Sequence, residues 1–128
     1  MKATPIDLAE AFATLAPLRQ RDLDAVDEEL ESSFAVLGEI GTGGVFVTSF
    51  AGKTPWERHP GDELVLVMEG QAELILFIED REERASLSGG QLIIVPANTW
   101  HRFETAGVRV VGVTPQPTET SSQTRPPT

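Results

Sequence analysis

Two histidines are the only imidazoles in this 128-residue chain, and each stands beside groups that extend its chemistry. His59 lies in Pro55-Trp-Glu-Arg-His-Pro-Gly-Asp-Glu63, and His101 in Pro96-Ala-Asn-Thr-Trp-His101. Glu57 and His59 are two apart, so on a strand they point to the same face. The Pro60-Gly61-Asp62 turn can bring Glu63 back beside them at the start of the next strand. His101 can complete the group from across a sheet. Two imidazoles with two carboxylates suit one divalent transition metal, because imidazole favours Fe, Ni, Cu and Zn while carboxylate admits Mn. By spacing alone the same residues also read as unrelated histidines and as two of twenty acids on a charged surface.

Other chemistries find less support. Cysteine is absent, which removes disulfides, thiolate ligands and cysteine nucleophiles. Ser49 and Thr99 have no base at a recognisable spacing for a hydrolytic triad. The Gly41–Gly44 run is followed by no Lys-Ser/Thr pair and opens no helix, so it is not a phosphate loop. Tyrosine is also absent, and lysine occurs only at positions 2 and 53.

The elements that must position these residues read as strands. Between residues 33 and 113, short runs of Val, Ile, Leu and Phe alternate with Gly, Pro and acidic turns about every ten residues. Strands are expected at Phe34–Ile40, Val45–Phe50, Trp56–His59, Glu63–Met68, Glu73–Ile78, Arg84–Leu87, Leu92–Val95, Trp100–Thr105 and Val108–Val113, with Glu69-Gly70 and Ala106-Gly107 as turns. The pattern is all-β, a sandwich or a barrel. On such strands Val65 and Phe103 share a face with Glu63 and His101 and should line a pocket, while Trp56 and Trp100 should pack outside. Residues 1–32 form a helical arm, with Thr4-Pro5 opening a helix through Leu8, Phe12 and Leu15 that Pro17 ends. Arg21–Glu31 is a second short helix or an acidic loop. Residues 114–128 hold four Pro and five Thr with no aliphatic side chain, the composition of a flexible tail.

Charge and assembly follow from the same reading. Ten basic against twenty acidic residues leave a net charge of −10, which disfavours nucleic acid and anionic membrane surfaces as partners. No apolar run approaches the ~20 residues a bilayer span needs, and Asp7 and Glu10 interrupt any leader peptide, so a cytoplasmic location is expected. Leu64–Met68, Leu74–Ile78 and Leu92–Val95 are apolar at every position, so both faces want cover. A homodimer is expected, with the N-terminal helix or a second sheet as other ways to cover the outer face.

Two segments carry a family resemblance. Glu57-x-His59-xxx-Glu63-x6-Gly70 resembles the first motif of the cupin superfamily, G-x5-H-x-H-x(3,4)-E-x6-G. Gly90-x5-Pro96-x-Asn98-xx-His101-xxx-Thr105 resembles the second, G-x5-P-x-G-xx-H-xxx-N. The closer likeness is to small single-domain bacterial cupins with a Trp-Glu-Arg-His-Pro first motif. The resemblance covers residues 33–113 and implies a jelly-roll β-barrel with one divalent metal (Fe, Mn, Ni or Zn) near its mouth. It places His59, Glu63 and His101 at three ligand positions, with Glu57 replacing the first histidine of the pair. Asn98 replaces the glycine of the second motif and Thr105 its asparagine, and Gly52 stands one residue closer to Glu57 than the pattern asks. Two functions follow: a metal-dependent enzyme of oxygenase, isomerase or lyase type acting on a small organic molecule, or a binding or sensing module that holds such a molecule unchanged.

Overall fold

The computed structural model describes residues 3–15, the backbone of 18–21, and residues 33–126. Among these residues, one short helix, α1 (Leu8–Ala13), precedes nine strands: β1 (Leu18–Arg21), β2 (Phe34–Ile40), β3 (Gly43–Lys53), β4 (Trp56–Arg58), β5 (Glu63–Ile78), β6 (Arg81–Ser88), β7 (Leu92–Val95), β8 (His101–Pro115) and β9 (Glu119–Ser121). The cap of α1 is Asp7, whose carboxylate accepts the Glu10 amide; the opening expected at Thr4 lies three residues early. Phe12 is buried, under the guanidinium of Arg109. Within the arm expected to be helical, β1 instead runs parallel to β3. Of the second helix or acidic loop expected at Arg21–Glu31, Arg21 ends β1 and residues 22–31 lie outside the described residues.

The nine strands join in one sheet that curls on itself. One half runs β2–β3–β8–β5–β7, using residues 63–70 of β5 and 108–115 of β8. The other half runs β6–β5–β8–β4–β9, using residues 71–78 and 101–107 of the same two strands. Strands β5 and β8 therefore belong to both halves. The turns expected at Glu69-Gly70 and Ala106-Gly107 are bends within continuous strands, with register shifts at Val67/Glu69 and Gln71/Glu73. Gly70 has φ +88°, and a Cβ there would overlap the carbonyl oxygen of Gly107, so the two strands cross closely where they bend. Strands β5 and β6 are joined by a hairpin at Glu79-Asp80, both at positive φ, as a two-residue type I′ turn requires.

Alternation along these strands builds the core. Phe50, Val65, Val67, Ala72, Leu74, Leu76, Leu87, Val95, Val108 and Val110 meet between the two halves. A second cluster, Trp56, Ile75 and Trp100 with Phe77, covers the outside of the β4–β8–β5 half, where the two tryptophans are expected. Arginines roof it: Arg58 stands 4.7 Å from the Trp100 ring, Arg102 5.1 Å from Trp56, and Arg125 5.3 Å from Phe77.

The C-terminal segment is docked, where its composition suggests a loose tail. After β8 the chain returns along β4 as β9, with Trp56 opposite Ser121 and Arg58 opposite Glu119. Trp56 Nε1 donates to the carbonyl of Thr124, and Arg58 pairs with Glu119 at 3.0 Å. Backbone pairing and polar contacts hold this strap in place, so its shortage of aliphatic residues does not prevent docking. No helix among the described residues is long and apolar enough to cross a membrane.

Candidate metal centre

The site is assembled where β4, β5 and β8 meet. Glu57 stands opposite His101 in the β4–β8 pair, His59 follows β4, and Glu63 opens β5 after the Pro60-Gly61-Asp62 turn. The loops carrying the two histidines are tied to each other. The Asn98 amide donates to the His59 carbonyl at 2.8 Å, and the Ala97 amide donates to Asp62 Oδ1 at 2.9 Å. Asp62 thus bridges to the second loop rather than only shaping its own turn. Asn98 adopts φ +58°, so it takes the left-handed conformation for which the cupin motif uses glycine.

All four candidate ligands converge. Glu57, His59 and His101 each offer a donor atom, and these atoms lie within 4.8 Å of one another, a cluster that could hold a metal ion. Glu63 lies between the imidazoles: Oε1 is 3.0 Å from His101 Nε2, and Oε2 is 3.3 Å from His59 Nε2. The two rings are 5.2 Å apart, and His59, Glu63 and His101 are all buried.

Each of these three is held from behind. His101 Nδ1 is 2.9 Å from the Thr99 carbonyl, which can only accept, so Nδ1 carries the proton and Nε2 faces the site. His59 Nδ1 meets Thr118 Oγ1 at 3.0 Å, and that hydroxyl donates to Gln116 Oε1 at 3.4 Å. Thr114 Oγ1 donates to Glu63 Oε2 at 2.6 Å. Imidazole ligands ordinarily have the far nitrogen tied in this way, which fixes ring and tautomer.

The charges follow from the packing. Burial alone would raise the Glu63 carboxyl, but the His101 and His59 rings beside it outweigh burial and hold it down at about 2. Burial opposes a charged His101, yet Glu63, the Thr99 carbonyl and Glu57 prevail, so its pKa lies above the usual histidine value. Within the site, His59 Nε2 and Glu63 Oε1 are buried and make no well-formed hydrogen bond beyond their 3.3 and 3.0 Å contacts. A cation between the imidazoles and the carboxylate would take both atoms as ligands. The donor set and these two atoms fit a divalent transition metal.

A cavity of about 260 Å3 opens beside the cluster. Val65 and Phe103 line it, as do Glu57, His59 and Glu63. The sequence reading missed Phe46, Thr48 and Phe50, which line it from β3, although their spacing at every second residue was a readable signal. It also missed Gln116 and Thr118 on the strap, for which composition offered none.

A protein-family profile described as "Cupin domain" matches residues 46–114, and a search of curated proteins finds no match. Among solved structures, a cupin-2 domain containing protein from Shewanella frigidimarina superposes at TM-score 0.66 with 18% identity, over 87% of this chain and 94% of its own. A conserved protein of unknown function from Streptococcus pyogenes does so at 0.62 with 20% identity, over 91% and 90%. Hydroquinone 1,2-dioxygenase from Sphingomonas sp. TTNP3, with 4-hydroxybenzoate bound, reaches 0.57 with 16% identity, over 81% and 85%. The profile spans both histidine loops and most of the curled sheet that positions them, and the chain belongs to the cupin family.

Proposed function

We propose that this cupin is a metal-dependent enzyme acting on a small organic molecule, with one divalent ion held by His59, Glu63, His101 and Glu57. The observation that carries the reading is the convergence of Glu57, His59 and His101 donor atoms, with Glu63 3.0 and 3.3 Å from the two imidazoles, beside a cavity. A bound ion of this kind supplies Lewis acidity or redox chemistry to a substrate in that cavity. The chain's own residues present Nε2 of both rings, keep Glu63 ionised and wall the cavity with apolar side chains. The cupin fold shared with the Sphingomonas dioxygenase is consistent with this reading.

A non-catalytic binding module is the second reading. It is favoured by the cavity walls, where the described residues outside the ligand cluster are Phe, Val, Thr, Gln and Gly, none an evident general base.

Elemental analysis of untagged protein purified without chelators tests the first reading. One equivalent of Fe, Mn, Ni or Zn, lost in His101→Ala, is expected; full metal in that variant would refute the assignment. A homodimer belongs to the same proposal. Val45, Val111, Val113, Leu64, Leu66, Met68, Leu92 and Ile94 form one apolar outer face across β3, β8, β5 and β7, with Leu92 56% and Ile94 48% exposed.

A further inference from the structure

We infer that the cavity takes a small uncharged molecule with one aromatic ring, its polar substituent turned to the histidine cluster. The inference rests on the cavity reading above and names the class of molecule it accepts. Glu57, His59 and Glu63 line it together with Thr114, Gln116 and Thr118, while Phe46, Phe50, Phe103, Val65 and Val110 supply much of its apolar lining. Thr114 and Thr118 contact Glu63 and His59, and Thr118 bonds Gln116, so these polar lining residues gather around the cluster. The hydroxyls of Thr48 and Thr54 are engaged by backbone, Thr48 donating to the Ser33 carbonyl and Thr54 accepting the Phe103 amide. No Lys or Arg among the described residues lines the cavity, and the two carboxylates that do would balance a bound dication to about zero net charge, so a ligand anion would gain no net attraction there.

Size and shape narrow the class further. At about 260 Å3 the cavity falls at the small end for ligand sites, and roughly 150 Å3 of apolar space suffices for benzene. Phe46 pairs with Gly112 across β3 and β8, and a Cβ on Gly112 would lie 2.7 Å from Phe46 Cζ. Gly112 has no left-handed φ to explain it. Its missing side chain instead lets the Phe46 ring lie against the β8 backbone and leaves the space above it open. Phe50 and Phe103 meet edge to face at 5.7 Å and 76°, so a flat guest finds ring faces and edges together.

Calorimetric titration of phenol, benzoate and cyclohexanol into zinc-loaded and chelated protein tests this, with metal content measured in parallel. Phenol is expected to bind at one equivalent, about tenfold tighter than benzoate or cyclohexanol. Gly112→Ala, which pushes the Phe46 ring into the cavity, should weaken phenol about tenfold at unchanged metal content. If that variant fails to fold, Phe46→Leu removes the ring and should weaken phenol similarly. Equal or tighter binding of benzoate or cyclohexanol, unaltered phenol binding in the folded variant, or no saturable binding at all would overturn the inference. Phenol preference in a protein that takes up no zinc would uphold the ligand class and defeat the metal reading; zinc uptake without that preference would do the reverse.

Discussion

His59 Nδ1 lies 3.0 Å from Thr118 Oγ1, so a histidine of the first cupin motif is oriented by a residue seventeen positions after the second motif's histidine. With Nδ1 donating to the hydroxyl, the lone pair of His59 sits on Nε2 and faces Glu63 and the cavity. Thr114 does the equivalent for Glu63, and the Thr99 carbonyl for His101. The strap after β8 is therefore part of the site.

Replacing Thr118 by Val keeps the shape and removes the hydroxyl, leaving His59 free to rotate or change tautomer. Metal affinity, measured by competition with a chromogenic chelator, should fall about 10- to 100-fold. Thr118→Ser should restore most of it. A merely structural Thr118 would give similar losses for both variants, or none.

Deleting residues 116–128 should lower the melting temperature by more than about 5 °C, since 1 kcal/mol moves it by about 4 °C at this size. The deletion removes β9, the acceptor of Trp56 Nε1 and the partner of Arg58. Exchanging the indole hydrogen bond for water alone costs about 0.5–1.5 kcal/mol. Tryptophan fluorescence should shift to the red as Trp56 meets water. An unchanged melting temperature would mean the strap adds nothing to stability.

What the sequence made legible, and what it did not, divides along physical lines. Alternation and turn chemistry act over a few residues, so the strands, the outward tryptophans and the convergence of His59 with Glu63 could be anticipated. Glycine serves both tight turns and close strand crossings, so Gly70 and Gly107 read as turns when they mark bends. Docking of the strap depends on hydrogen bonds between residues about sixty positions apart, such as Thr118 with His59, and no local composition encodes those. Asn98 was readable because its tolerance of positive φ is a property of the residue itself.

Assembly gives a prediction independent of the metal. Size-exclusion chromatography with light scattering should report twice the 13.9 kDa chain mass. Replacing Leu92 and Ile94 by Lys places charge on the exposed apolar face and should return the mass to one chain. A monomer in the unaltered protein would leave that face to solvent and refute the dimer.

Metal-free protein should show a bell-shaped dependence of stability on pH. Glu63 has a folded pKa of about 2 against an ordinary 4.5, so its contribution is complete above about 4.5 and disappears as pH falls toward 2. That difference is worth about 3 kcal/mol. His101 is shifted the other way, from an ordinary 6.5 upward. Its contribution is complete below 6.5 and is lost as pH rises through the folded value. Urea midpoints of chelated protein should therefore peak between about pH 4.5 and 6.5. In Glu63→Gln the acid limb should flatten, because no carboxylate remains to be protonated, and the alkaline limb should weaken as His101 loses its nearest anion. Unchanged limbs in that variant would show that the Glu63–His101 contact does not govern the stability of the empty site.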